Sequence, residues 1–307
     1  MIEPGSPEWL SIITPSKVPS ILVDQHGTTI SRWKSQYTLW HEMAGITAPA
    51  PISEARQDDF DYGHACELAA REYWKFKNPD WRISQGEVQI SNPDLPFPNL
   101  ATIDLRGSRG SLRRVVEVKT ARDLGEFGDD GSGEIPRDYA AQILMQMLIT
   151  GWHDTADLVC WAQYGKPRIY HVEWDAQIAE AIVTLCVGWM ESLAQGRKPP
   201  LDNSVSTYET VRALHPEIDR GAEGQIPPAE AYELLAADGT LKAAEKQLRG
   251  RKTALLDQMG SAQYAMVGDS KIADRRPHAK GSVALVLAPK NIQQIADHID
   301  AQEGFPA

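Results

Sequence analysis

Asp104, Glu117 and Lys119 are the residues whose types and spacing could do chemistry. Asp104 closes one apolar segment, and the triplet Glu117-Val118-Lys119 sits inside a second, with RGSRGS between them. Successive side chains of a strand alternate faces, so Glu117 and Lys119 project together while Val118 points to the core. If RGSRGS is the turn of a strand pair, Asp104 comes to lie beside Glu117. Two carboxylates and one ammonium then meet at one place. That set suffices to hold a divalent cation against a phosphodiester and to make a water nucleophilic. Taken alone, the same pattern also describes a strand end, a solvated sheet face and an edge lysine that deters aggregation.

Other residues gather around this idea. Lys119 could orient the attacking water, or act as a base if desolvation lowers its pKa. Glu67 shares a helix face with His64 and Arg71 and could supply a third acid; taken alone, an ion pair with Arg71 is the simpler reading. His64 is not taken as a ligand. Tyr139 and Gln142 lie three apart on the polar edge of a helix otherwise built for burial. Gln142 could bond the attacking water or a phosphate oxygen, and Tyr139 is a candidate DNA contact. Arg106, Arg109, Arg113 and Arg114 crowd the presumed turn, where guanidinium groups would grip a nucleic-acid backbone without reading sequence. Ser16, Arg32 and Lys34 are further phosphate-contact candidates.

These residues need a frame. The chain has 307 residues and 42% apolar content, enough for a large core in one or two domains. Its elements read helix–strand–strand–strand–helix–strand–strand–helix. The helices are expected over residues 60–77, 137–151 and 175–195. The strands are expected over 85–90, 100–105, the VVEVKT segment, 157–164 and 168–174. That order predicts an α/β (α+β) core with one central mixed sheet flanked by helices. All nine tryptophans lie at or before Trp189, and two prolines in RKPPLDNS break the chain. The expected division is a core at 1–200 and a mostly helical extension at 201–307. The extension reads as a long charged helix or helix pair over 227–258, then a hairpin with a basic tip.

Composition narrows the class. A formal charge of −11 argues against a protein that coats nucleic acid over its whole surface, though not against a confined basic groove. No run of about eighteen apolar residues marks a membrane span, and the N-terminal segment lacks the regions of a signal peptide. Cys66, Cys160 and Cys186 sit in apolar-periodic segments without metal-ligand spacing, as reduced core thiols of a cytoplasmic protein do.

The ordered combination is more specific than its parts. A helical YGxxxE motif at 62–67, the strand-ending Asp104, ExK at 117–119 and YxxQ at 139–142 resemble the YqaJ-like viral recombinase exonucleases. That family is related to phage lambda exonuclease, within the PD-(D/E)xK nuclease superfamily with its restriction-endonuclease-like core. The segments ITPSKVPSIL and SQYTLWHEMAGI are similar to that family's opening, so the resemblance runs from about Ile12 to Arg197. Two features depart from it. Ile103 replaces a proline that often precedes the acid, and Trp9-Leu10-Ser11 stand where an arginine is common.

The resemblance implies that Asp104, Glu117 and the Val118 carbonyl are metal ligands with Glu67 completing the site. Lys119 would manage the water and Gln142 would support it, while Ser16 and Arg32 lie near where the family grips a terminal phosphate. It further implies Mg²⁺, with Mn²⁺ able to substitute, and 5′ to 3′ digestion of one strand of linear duplex. A ring of three or four subunits, a single-strand annealing partner, no membrane, and a phage or prophage origin in the bacterial cytoplasm belong to the same expectation. A structure- or site-specific endonuclease on the same fold, or a silent DNA-binding module, are the alternatives.

Overall fold

The computed structural model describes residues 2–277, 281–293, 295 and 296. Its chain divides into two compact units, the first ending at Ile218.

The first unit opens with α1 (Pro7–Ser11), α2 (Val18–Ile21), α3 (Gln36–Met43) and α4 (Glu54–Lys77). Strands β1 (Arg82–Ile83), β2 (Val88–Ile90), β3 (Ala101–Ile103), β4 (Leu105–Arg109) and β5 (Leu112–Ala121) follow. Then come α5 (Arg137–Thr150), β6 (Thr155–Ala162), β7 (Arg168–Glu173), α6 (Ala176–Ala194) and α7 (Val205–Leu214). The central sheet has the order β1-β4-β5-β6-β7. Its one parallel pair is β5 with β6, bridged by α5, and the rest are antiparallel. This is the expected mixed sheet flanked by helices.

The strands obey their alternation. Val115 packs into one core with Leu158, Cys160 and Tyr170 of the sheet and Ile143 and Met147 of α5. Val116 and Val118 pack into the other, against Ala70 and Trp74 of α4. Glu117 and Lys119 therefore emerge on the α5 side. Gly107 lets the α4 side close, since a Cβ there would stand 2.9 Å from the Trp74 ring. Cys66, Cys160 and Cys186 are free and buried.

Three boundaries differ from the sequence reading. The RGSRGS turn shrinks to Gly110 and Ser111, because β4 and β5 pair from Leu105↔Val116 out to Arg109↔Leu112; Gly110 takes φ +58° to reverse the chain. The strand expected over 100–105 is broken at Asp104, where the chain leaves the β2–β3 pair for the central sheet. The joint expected at 200 falls instead after Ile218. The cause is a set of hydroxyl contacts that fasten α7 to α3: Thr207 Oγ1 donates to Ser35 Oγ at 2.7 Å, and Thr210 and Thr38 hydroxyls meet at 2.7 Å.

Among the described residues the second unit holds one long helix, α8 (Pro228–Met259), an antiparallel sheet of β8 (Tyr264–Val267), β9 (Ser270–Pro277) and β10 (Val283–Leu287), and a short 3-10 turn at Pro289–Asn291. Met259, Ala265 and Ala273 form its core. The hairpin expected there is the β9–β10 pair; its basic tip, residues 278–280, lies outside the described residues.

Candidate active site

Pairing of Leu105 with Val116 sets Asp104 beside Glu117 across the strand boundary. Asp104 Oδ2 accepts the Val118 N–H at 2.7 Å, which fixes its carboxylate against the backbone of the triplet. Glu117 is buried, 2% exposed. Its Oε1 accepts the Lys119 ammonium and the Gln142 amide, the latter at 2.6 Å, and its Oε2 accepts the Gln146 amide at 2.6 Å. Gln142 and Gln146 are one helical turn apart on α5, so both reach the same carboxylate. The strand presents the acid and the helix fixes its orientation.

The electrostatics are those of an over-populated acidic pocket. Burial pushes the Asp104 carboxyl well above the usual range, and neighbouring Glu117 adds to this, while Lys119 and the Val118 N–H work against it. Burial also disfavours the Lys119 charge, but Glu117 and Asp104 outweigh it and hold the ammonium above its ordinary value. The two carboxylates thus favour the protonated form of Lys119. Burial raises the Glu67 carboxyl too, opposed by His64 and reinforced by Glu87 and Glu117. Asp104 and Glu117 face the Lys119 cation, and Glu67 faces it together with His64.

That imbalance bears on whether a metal fits. Among the described residues no group of three or more His, Cys, Asp or Glu side chains is arranged to hold a metal by itself. The donors present are two carboxylates and the backbone of Val118, the sparse, oxygen-only set that suits Mg²⁺ with water completing its shell. The buried Gln146 Oε1, which has no protein partner, is one polar atom that water would satisfy. The residues fit such a cation.

A cleft of about 1020 Å³ opens over this pocket, lined among others by Ser16, Glu67, Val118, Lys119, Tyr139 and Gln142. Five of the expected site residues thus face one cavity with Ser16, whose hydroxyl lies 3.1 Å from that of Thr14. Glu67 does not pair with Arg71, which binds Glu72 at 2.7 Å and Gln85 at 2.9 Å instead. Burial raises the Tyr139 phenol, so it stays a neutral donor.

The expected DNA-contact residues divide. Arg32 is clamped by Asp138 through Nε at 2.8 Å and Nη2 at 3.1 Å, with Glu126 at 2.8 Å, and stacks over Tyr139. Lys34 is paired with Glu42. Arg106 is exposed, one strand position beyond Leu105. The remaining hairpin arginines do not crowd the site. Leu112 is five residues from Glu117 along β5, roughly 17 Å at strand rise. Arg113 bonds the carbonyls of Gly110 and Leu112, and Arg109 and Arg114 cover Trp81. Arg114 also reaches Asp157 at 3.2 Å and Asp154 at 3.3 Å. Their distance from the acids follows from strand length: the longer the pair, the farther its turn lies from its base.

Sequence reasoning missed Gln146, although an amide inside the apolar run of α5, four residues from Gln142, was a signal. It also missed the cleft's mouth, where the Arg56 guanidinium lies over both Trp33, at 5.2 Å, and Phe60, at 5.7 Å. Only their exposure as aromatics reveals them, and exposure is not visible in a sequence.

A mixed sheet with one acid on a strand and a second at the β3–β4 break, a lysine on the strand face of the first, and a glutamine-bearing helix defines a protein built around one buried acidic site under an open cleft. Residues 13–153 match the family model of the YqaJ-like viral recombinase domain, so the resemblance read from the motifs is borne out over that span. Among solved structures, the chain is similar to LHK-Exo, an alkaline exonuclease from Laribacter hongkongensis. The TM-score is 0.46 with 17% identity, covering 68% of this chain and 96% of that one. A candidate exonuclease from Eubacterium rectale aligns with TM-score 0.46 and 12% identity, over 72% of this chain and 93% of that one. No curated protein matches the sequence. Among the described residues no helix is long and apolar enough to cross a membrane.

Proposed function

We propose that this chain is a Mg²⁺-dependent exonuclease that digests one strand of linear duplex DNA. The observation that carries the reading is the contact set of Asp104, Glu117 and Lys119 beneath an open cleft, within the span that matches the recombinase family. A bound divalent cation supplies positive charge to the phosphate and makes a coordinated water more acidic. Asp104, Glu117 and the Val118 carbonyl would hold it.

The chain's own residues do the rest. Gln142 and Gln146 fix both oxygens of Glu117, so the carboxylate needs no reorganisation when charge develops nearby. Lys119, kept protonated by its acids, donates hydrogen bonds to the attacking water or to a phosphate oxygen and stabilises the negative charge of the transition state. Glu67, at the cleft wall, is placed to accept a proton from water. Tyr139 offers a neutral phenol to the phosphate. The exposed Trp33 and Phe60, with Arg56 between them, give bases or sugars a surface on which to stack.

Polarity from the 5′ end, a ring assembly and delivery of the exposed strand to an annealing protein complete the proposal by family resemblance. Incubation with Mg²⁺ and either linear or covalently closed circular duplex tests it. Nucleotide release from the linear form alone is expected. Cutting of circles would instead support an endonuclease, and no cleavage of either a binding module.

A further inference from the structure

The cleft wall carries a cation that the catalytic reading leaves unused. Arg56, Lys119 and Arg122 all line the cleft. Lys119 is held by Glu117, and Arg56 lies over Trp33 and Phe60. The Arg122 side chain forms no hydrogen bond or ion pair among the described residues. Its neighbour Asp123 does not take it, and Asp123 Oδ1 instead accepts the Gly125 N–H at 3.0 Å. An unengaged guanidinium, in a chain of formal charge −11 with Asp59 and Glu67 on the same cleft wall, is placed to receive an anion.

The backbone fixes where that guanidinium starts. β5 and β6 pair in register as far as Ala121↔Ala162. Two further bonds extend the pairing: the Gln163 N–H donates to the Ala121 carbonyl at 2.9 Å and the Tyr164 N–H to the Arg122 carbonyl at 3.2 Å. The strand that bears Glu117 and Lys119 therefore sets Arg122 as well, with its Cα about 10 Å from that of Lys119 at strand rise. Phosphates of one strand recur about every 3.4 Å along a duplex axis, so this offset spans about three of them. Gln163 lines the cleft from the adjacent strand end, and its side chain likewise has no partner among the described residues. A guanidinium and an amide are donors of the kind that grip phosphate oxygens without reading sequence.

We propose that Arg122, helped by Gln163, binds a backbone phosphate of the digested strand that flanks the scissile one. This inference rests on the nuclease reading, which supplies the bound strand. A second held phosphate fixes the position of the strand along the cleft.

Arg122 has no protein partner to lose, so Arg122→Gln is expected to melt with the unaltered protein; a lowered melting temperature would give it a place in the fold instead and overturn the proposal. Binding of linear duplex without Mg²⁺ is expected to weaken on the order of tenfold. The slope of log affinity against log salt is expected to fall by about one. Arg113→Gln, beside the β4–β5 turn, is expected to change neither. Duplexes with a single neutral methylphosphonate, moved one phosphate at a time, locate the contact. One position flanking the scissile phosphate is expected to weaken binding by the unaltered protein and not by Arg122→Gln. An unchanged slope in Arg122→Gln, an equal fall in Arg113→Gln, or strictly additive losses at every position would overturn the assignment. With Mg²⁺, KM is expected to rise while kcat is kept. No cleavage by any of the proteins, with the slope difference retained, would sink the nuclease reading and leave Arg122 as a DNA contact.

Discussion

Gln146 Nε2 lies 2.6 Å from Glu117 Oε2, and both residues are almost wholly buried. A glutamine in an apolar helix face thereby becomes part of the acidic site. Gln146→Leu keeps similar bulk and removes the donor. Loss of a hydrogen bond to a charged group costs about 1.5–3 kcal/mol. Single-turnover cleavage is expected to slow about tenfold or more, with duplex affinity unchanged. An unaltered rate would show that Gln142 alone orients Glu117.

Asp104 and Glu117 are like charges in one pocket, and a cation relieves their repulsion. Thermal unfolding is expected to shift upward when Mg²⁺ is added to the unaltered protein. Asp104→Asn should melt higher than that protein without metal and gain little from Mg²⁺. Equal Mg²⁺ shifts in both would place the ion elsewhere.

Arg114 is a structural arginine. It reaches the fully buried Asp157, which also accepts Trp74 Nε1 at 2.7 Å and His171 Nδ1 at 2.8 Å. Removing one partner of a buried ion pair costs about 3–5 kcal/mol, and the two remaining donors place Arg114→Ala at the lower end. Denaturant unfolding is the readout, and Arg113→Ala should leave the curve in place. Equal stability of Arg114→Ala and the unaltered protein would return Arg114 to the list of DNA contacts.

His171 gives that cluster a pH dependence. Its hydrogen bond to Asp157 raises the imidazolium above its ordinary value, against desolvation and Arg114, with Asp130 adding to the rise. A group whose pKa is raised by folding stabilises fully below its unfolded value, about 6.5 for histidine. That contribution is lost as pH rises through the folded value. The stability difference between the unaltered protein and His171→Gln is therefore expected to be largest near about pH 6 and to shrink toward alkaline pH. A difference that grows with pH would reverse the assignment.

Much of the site was legible because strand alternation and one hairpin register decide it. Glu117, Val118 and Lys119 fall on their faces by period two, and pairing brings Asp104 to Glu117. What escaped depends on lengths and on distant polar pairs. Extension of β4 into RGSRGS, and of β5 back to Leu112, carried Arg109, Arg113 and Arg114 away from the acids. Nothing in the sequence couples Ser35 and Thr38 to Thr207 and Thr210, the contacts that add α7 to the first unit. Gln146 was concealed by the apolar residues around it, although its own polarity was the clue.

The central claim is that Asp104, Glu117 and Lys119 form a hydrolytic site rather than a structural ion cluster. Its most direct test is nucleotide release from linear duplex with Mg²⁺ by the unaltered protein, Glu117→Ala and Lys119→Ala, alongside duplex binding by each. The account predicts release by the unaltered protein only, with binding kept in both variants. Turnover by Glu117→Ala at the unaltered rate would contradict it.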